Sequence, residues 1–148
     1  MNLISETDKS YIAGLVDGEG CFNIYKMKNK SCKRGYTFVG RMFVTNCDLN
    51  ALVEMRELTG LGSVRKRTPQ AGRKQSYNWD LSVLEVKEIV PHIFPYMRIK
   101  KRQAELMMSF LNTHQWGRRK GFVLEDSVVE SRKNMYDSMA SLNFRGVR

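Results

Sequence analysis

Near its N-terminus the chain reads IAGLVDGEGC, residues 12–21. The apolar residues of this stretch have the spacing of a buried helix face. Gly14 and Gly18 are four residues apart, hence on one side of such a helix, where a second backbone can approach closely. Asp17 and Glu19 bring two carboxylates to its C-terminal end. In a basic chain, a close-packed helix pair that ends in carboxylates predicts a metal site at an interface.

The charge of the chain points to a polyanionic partner. Its 148 residues carry a formal net charge of +10. Twelve Lys or Arg and four Asp or Glu lie between Cys21 and Asp80, so +8 of this charge falls on segments that alternate like strands. Nucleic acid is the first candidate partner and an acidic membrane surface the second. No apolar run approaches the ~20 residues of a membrane span, so no membrane partner is expected.

Length and composition predict one globular domain over residues 1–148. The three cysteines, Cys21, Cys32 and Cys47, lack metal-ligand spacing and are expected to be reduced thiols of an intracellular protein. An organelle (mitochondrion or chloroplast) and a bacterial or phage-infected cytoplasm both remain open as its location.

Hydrophobic periodicity predicts an α+β fold of order αββαββα with extra C-terminal helices. One four-stranded antiparallel sheet carries helices on its apolar face. Strands of roughly ten residues span about 30 Å, comparable to some nine base pairs of DNA. The predicted strands are Cys21–Met27, Tyr36–Asn46, Ser63–Thr68 and Gln75–Leu81. The first predicted helix begins near Thr7 or Asp8, and the second runs from the cap Asp48 to Gly60. Three further helices are predicted at Val83–Val90 (ended by Pro91), Met97–Thr113 and Glu125–Ser141, with a basic loop at Trp116–Gly121 between the last two.

The other face of the sheet carries amide, guanidinium, hydroxyl and carboxylate groups, which suit both phosphates and base edges. The alternative is that this face is merely solvated, although a solvated face rarely concentrates cations so heavily. The residues predicted to contact DNA are Asn23, Tyr25, Thr37, Arg41, Arg65, Arg67, Asn78 and Asp80 on the strands, and Lys28, Lys30, Lys33, Arg34 and Arg73 in or beside the turns.

Residues 12–21 resemble the LAGLIDADG motif of the homing endonucleases, and the order αββαββα is similar to that of the single-motif members. The resemblance covers about Ser10 to Gln103. It implies a DNA endonuclease that hydrolyses phosphodiester bonds with magnesium and has no small-molecule substrate. The second acid of the motif is Glu here instead of Asp, and the family uses both.

Magnesium prefers oxygen ligands and takes only one or two carboxylates from a protein. Glu19 is therefore the candidate carboxylate ligand, and the carbonyl of Gly18 is a possible second ligand. Asp17 matches the first acid of the family motif, which ties helix ends together, so we expect a structural role for it.

The resemblance implies two further catalytic residues. Asn46, at the end of the second strand, matches a polar residue that orients water or metal. Lys100, in the segment Pro95–Ala104, is the best match to a lysine that organises solvent around the scissile phosphate or offsets its charge. A register error of one residue would select Lys101 instead.

The chain holds one copy of the motif, hence one acid at the scissile phosphate, whereas double-strand cleavage requires two. The expected assembly is a homodimer in which Gly14 and Gly18 pack two motif helices around a two-fold axis, acting on a long, roughly palindromic site.

The leading hypothesis is a homing endonuclease encoded by a mobile intron or an intein-like element. One alternative is a non-catalytic nucleic-acid binder of the same fold, either an RNA maturase or a DNA-binding regulator. Another is a basic RNA-binding or ribosomal accessory protein whose aromatic residues stack on bases. Glu19 and Lys100 favour the nuclease, because a binder has no use for a carboxylate that faces phosphate.

Overall fold

The computed structural model describes residues 2, 4–113 and 124–144. Within these residues the predicted order αββαββα, followed by further helices, is confirmed. The elements are α1 (Glu6–Glu19), β1 (Gly20–Lys28), β2 (Tyr36–Asn46), α2 (Leu49–Thr59), β3 (Ser63–Lys66), β4 (Tyr77–Leu81), α3 (Val83–Ile93), a 3-10 turn (Phe94–Tyr96), α4 (Lys101–Asn112) and α5 (Asp126–Asn143). The predicted basic loop at Trp116–Gly121 lies outside the described residues.

The four strands form one sheet in the order β1-β2-β4-β3, with β4 antiparallel to both of its neighbours. Strand alternation is as predicted: Phe22, Ile24, Met42 and Val44 are buried, while Arg41 is exposed. Together with the helices, this confirms the α+β fold class.

β3 and β4 are shorter than predicted. They have four and five residues, although the amide of Arg67 still donates to the carbonyl of Ser76 at 3.0 Å. Beyond that bond the side-chain amide of Gln75 donates to the Arg67 carbonyl at 2.9 Å. A side-chain hydrogen bond thus takes the place of the next backbone hydrogen bond between β3 and β4. Pro69 has no backbone amide with which to extend the pairing of the two strands. The estimate of about ten residues therefore holds only for β1 and β2.

The chain divides into two compact units, residues 1–21 with 41–101 and residues 22–40 with 102–148. The prediction of one domain over residues 1–148 stays a prediction.

In the first unit, α1 begins at Glu6 instead of Thr7 or Asp8. The N-cap is Ser5, whose hydroxyl accepts from the Asp8 amide while the Asp8 carboxylate accepts from the Ser5 amide.

α2 is bounded as predicted, by the cap Asp48 and by Gly60, which has φ of 68°. After it, Gly62 has φ of 76° and lies against Trp79, the largest fully buried side chain of the described residues. The indole nitrogen of Trp79 donates to the Leu61 carbonyl at 2.9 Å. This contact fixes the entry to β3.

α3 continues to Ile93 and does not stop at Pro91 as predicted. Proline in the last turn costs one backbone hydrogen bond. The apolar face nevertheless continues through Ile89, Val90 and Ile93, all fully buried, so burial offsets that loss.

α4 begins at Lys101 and not at Met97 as predicted, and Ile99, counted among its apolar residues, is 75% exposed. The amides of the three residues before Lys101 donate instead to the Asp17 carboxylate of α1. α5 runs two residues further than predicted, to Asn143.

In the second unit, the hairpin of β1 and β2 and the helices α4 and α5 are joined by side chains. The Asn143 side-chain amide donates to the Phe22 carbonyl at 2.8 Å. Arg132 of α5 is buried, and its guanidinium donates to the hydroxyl and the carbonyl of Thr113, both at 2.9 Å. Among the described residues no helix is both long and apolar enough to cross a membrane.

We predict that Gly62→Ala destabilises the protein more than Gly72→Ala does. Both glycines have positive φ, so both variants incur backbone strain of about 1–2 kcal/mol. Only at position 62 would the new Cβ meet other atoms, 2.4 Å from the Trp79 indole nitrogen. This clash should add about 1–3 kcal/mol. Urea unfolding of the two variants tests the prediction, and equal losses would contradict it.

Candidate active site and nucleic-acid interface

α1 ends with two carboxylates, Asp17 and Glu19, and carries no basic residue in its last turn. The C-terminal end of a helix is its negative pole, so acids there are electrostatically unfavourable. Asp17 is 7% exposed, whereas Glu19, the last residue of the helix, is exposed. The two acids are therefore held in different ways.

The Asp17 carboxylate accepts hydrogen bonds from three successive backbone amides. They are those of Arg98 at 2.6 Å and Ile99 at 3.1 Å, both to Oδ2, and Lys100 at 3.0 Å, to Oδ1. Burial acts to raise the pKa of Asp17, but these amides and the Lys100 charge outweigh it and lower the pKa below the ordinary value of 3.8. Asp17 thus joins the end of α1 to the segment before α4, in agreement with its expected structural role.

The side chain of Lys100 meets the same helix end. Its ammonium donates to the backbone carbonyl of Asp17 at 2.5 Å and to those of Val16 and Gly18, each at 3.2 Å. The Val16 carbonyl also accepts from the amide of Gly20, the C-cap of α1, whereas the carbonyls that follow it lie beyond the regular helix bonds. A cation is a favourable partner for such terminal carbonyls. The predicted catalytic Lys100 and the predicted ligand Gly18 are therefore in direct contact.

Glu19 and Gly18 provide the kinds of atoms that magnesium prefers. A carboxylate and a carbonyl oxygen are hard donors, and magnesium commonly keeps several waters beside such a pair. The residues present thus fit a partly hydrated magnesium ion. In the described part of the chain, no group of three or more His, Cys, Asp or Glu side chains could hold a metal.

Asn46 ends β2, in register with Tyr77 of β4. Its side-chain oxygen accepts from the Asp48 amide at 2.9 Å, in the turn that leads into α2. This hydrogen bond fixes the Asn46 side chain and leaves its NH₂ group as the donor for a water or a phosphate oxygen.

Gly14 and Gly18 lie on an exposed face of α1. A Cβ built on either glycine would meet nothing within 4 Å, so packing within this chain does not require glycine there. Tyr11, on the same helix, is 49% exposed. Beside Gly14, a concavity of about 410 Å³ is also lined by Ser10, Asp17, Pro95, Tyr96 and Arg98.

A polar groove of about 420 Å³ lies along β3 and β4, lined by residues 65–70 with Asn78 and Asp80. Across the strands, Arg65 is opposite Asn78, which is opposite Thr45. Arg65 donates through Nε to the Ser63 hydroxyl at 3.2 Å, and Thr45 donates to the Asn78 oxygen at 2.8 Å. Neighbouring hydroxyls therefore hold both candidate base-contacting side chains.

The other predicted DNA contacts are distributed over both units. In the first unit Arg41, Arg67 and Arg73 are exposed, as is Arg65, while Asn78 and Asp80 are half-buried. In the second unit Tyr25, Lys28, Lys30 and Lys33 are exposed, and Asn23 and Thr37 are half-buried.

Arg34 differs from the other turn cations. Its guanidinium donates to the Leu124 carbonyl at 3.0 Å and pairs with Asp126, in the first turn of α5. This pairing fixes the turn after β1, which is also closed by a hydrogen bond from the Asn29 amide to the Gly35 carbonyl at 2.9 Å. Arg34 is thus at least in part a positioning group for its neighbours.

Sequence reasoning missed the hydroxyls that hold Arg65 and Asn78. Ser63 could have been found, because residues two apart on a strand share a face. Thr45 could not, since its pairing with Asn78 depends on the register between β2 and β4.

The model of the family described as LAGLIDADG endonuclease matches residues 12–110. A comparison with proteins of curated function gave no match.

Solved structures resemble the chain closely in fold. The homing endonuclease I-CvuI, in complex with the I-CreI target, has a TM-score of 0.76 at 19% identity, over 97% of this chain and 86% of that one. The archaeal intron-encoded homing endonuclease I-Vdi141I, complexed with DNA, has a TM-score of 0.77 at 17% identity, over 97% and 88%. The LAGLIDADG homing endonuclease I-SmaMI, bound to cleaved DNA, has a TM-score of 0.68 at 19% identity, over 100% of this chain and 47% of that one.

We predict that Asp17→Asn destabilises the protein by about 1–3 kcal/mol at neutral pH, because three amides lose a charged acceptor. Since the pKa of Asp17 is lowered, its stabilising contribution is complete above 3.8 and is lost as the pH falls through the folded-state value. The difference in unfolding free energy between wild type and variant should therefore shrink between pH 7 and pH 2. A constant difference would contradict this. Asp48→Asn is the control, because Asn is an equally good N-cap.

Proposed function

Because the chain belongs to the LAGLIDADG endonuclease family, we propose that it is a magnesium-dependent, sequence-specific DNA endonuclease that acts as a homodimer and is encoded by a mobile intron. The observation that carries this proposal is Glu19, an exposed carboxylate at the negative end of α1. Placing an acid there is unfavourable both for the helix and for contact with a phosphate. A function in binding alone gives no reason for it, whereas cation-dependent hydrolysis does.

The proposed chemistry uses few groups from each copy of the chain. Glu19 and the Gly18 carbonyl would hold magnesium, which when bound supplies an activated water and offsets charge on the scissile phosphate. The Asn46 NH₂ group would orient that water or a phosphate oxygen, since its own oxygen is engaged by Asp48. All three groups lie at the ends of α1 and β2, which are regular elements that hold them in place.

The open face of α1 supports the homodimer. Gly14 and Gly18 have free space around them within one chain, as expected if a second backbone packs there. The match to 47% of the length of I-SmaMI also supports it, because two copies of this chain would correspond to about one such protein. Two copies bring two Glu19 carboxylates, one for each DNA strand.

The groove along β3 and β4 and the cationic turn after β1 supply the proposed DNA contacts. I-CvuI and I-Vdi141I are described as complexes with DNA, which supports double-stranded DNA as the partner here. The groups that line the groove can make both phosphate and base-edge contacts.

We predict that Glu19→Gln lowers the rate of double-strand cleavage by at least about 10–100-fold, because loss of even an outer-shell partner of a metal costs that much and Glu19 is proposed as a direct ligand. Duplex affinity should remain, since the variant removes a negative charge. The measurement uses DNA carrying the intronless allele of the host gene, with and without magnesium. Glu105→Gln, an exposed acid on α4, is the matched control and should cut like wild type.

Two outcomes of that experiment would count against the proposal. If Glu19→Gln cuts at the wild-type rate, Glu19 is not a ligand. If the wild-type protein binds the duplex but never cuts it, the chain is a binder of the same fold.

We predict that Arg65 reads a base while the turn lysines contact phosphate. If a dimer neutralises roughly eight phosphates, log K should fall with log salt at a slope near −7. Lys30→Ala or Lys33→Ala should weaken all duplexes alike and reduce the slope by about 2 for two copies. Arg65→Ala should instead relax specificity at one position per half-site, by about 1–3 kcal/mol.

Salt titrations on cognate and scrambled duplexes distinguish these effects. Lys66→Ala is the control for Arg65, because it removes an exposed cation from the next position of the same strand. If Arg65→Ala weakens both duplexes equally, as Lys66→Ala should, the groove binds charge and does not read sequence.

A further inference from the structure

We infer that Lys100 is a positioning residue, which holds the end of α1 and thereby fixes Gly18 and Glu19 for the divalent cation. The inference rests on the proposed function for the identity of that cation. It departs from the expected role of Lys100, which was to act on the scissile phosphate or its solvent.

The first support is the number of contacts that the ammonium makes. Its three acceptors, the carbonyls of Val16, Asp17 and Gly18, are consecutive and belong to the last turn of α1. An ammonium has three donors. The three helix carbonyls thus equal in number the donors of the ammonium.

The second support is that Lys100 is attached to α1 twice. Its backbone amide donates to the Asp17 carboxylate at 3.0 Å, and its ammonium donates to the Asp17 carbonyl at 2.5 Å. The main chain of Lys100 is thus anchored, and its side chain cannot leave the helix end without losing bonds at a half-buried site.

The third support is electrostatic. The last turn of α1 carries two acids and no basic residue of its own. The three amides satisfy Asp17 but leave the terminal carbonyls and the Glu19 charge at the negative pole. The ammonium of Lys100 supplies the positive charge that this end of the helix lacks.

Lys101 provides the matched control. It follows Lys100 directly, but its ammonium lies over the Phe94 ring, 5.0 Å from the ring centroid. Lys100→Met and Lys101→Met therefore each remove one ammonium from the same basic run, and only the first removes contacts to α1.

The first measurement is amide hydrogen exchange of the full chain without a divalent cation. Lys100→Met should increase exchange at residues 18–20, where α1 ends, by at least about tenfold, and Lys101→Met should not. Unchanged exchange in Lys100→Met would overturn the inference. This result does not depend on whether the protein cleaves DNA.

The second measurement is calcium binding by calorimetry, under conditions in which every variant is folded. Lys100→Met should weaken calcium binding about 10–100-fold, as loss of an outer-shell support does, and Lys100→Arg should restore part of it. Gly62→Ala, which destabilises the protein at a site outside α1, should bind calcium like wild type. This control separates the positioning effect of Lys100 from a general loss of stability. Unchanged or tighter binding by Lys100→Met would overturn the inference, while a wild type that binds no calcium would instead contradict the proposed metal site.

Discussion

The structure depends on one electrostatic constraint, the presence of two acids at the negative end of a helix. α1 places Asp17 and Glu19 where the helix dipole disfavours them. The segment before α4 compensates, with three amides on the Asp17 carboxylate and the Lys100 ammonium on the carbonyls. The backbone amides of this segment thereby satisfy the Asp17 carboxylate, and the Lys100 ammonium satisfies the carbonyls at the end of α1. Glu19 is therefore held at a helix end that is fixed in place.

The same contacts leave one face of α1 open. Asp17 is held against the first unit, whereas Gly14 and Gly18 have free space around them. A helix that is anchored on one side and bare on the other is suited to pair with a copy of itself. In the proposed dimer, the supports of Glu19 come from within each chain, and the pairing of two chains sets the distance between the two acids.

Local rules predicted most of the fold, and tertiary contacts account for the errors. β2 was predicted at its observed limits, because its burial alternates without interruption, and α2 because Asp48 and Gly60 are strong end signals. The start of α4 was placed too early because Met97 and Ile99 continue the apolar pattern. The amides there bind Asp17, which lies 81 residues before Arg98, and local sequence does not encode that contact. Likewise, Lys100 was predicted to be a site residue, but its engagement with three helix carbonyls depends on how the segment before α4 lies against the end of α1.

Strand cleavage by mixed dimers tests most directly the proposal that each copy of the chain contributes one acid, Glu19, to one DNA strand. Wild-type protein and Glu19→Gln protein, carrying different affinity tags, are co-expressed, and the mixed dimer is purified through both tags. With magnesium and a supercoiled plasmid that carries the target, we expect the mixed dimer to nick one strand and give open circles, while wild-type dimers give linear DNA. Linear DNA at the wild-type rate from the mixed dimer would contradict the proposal.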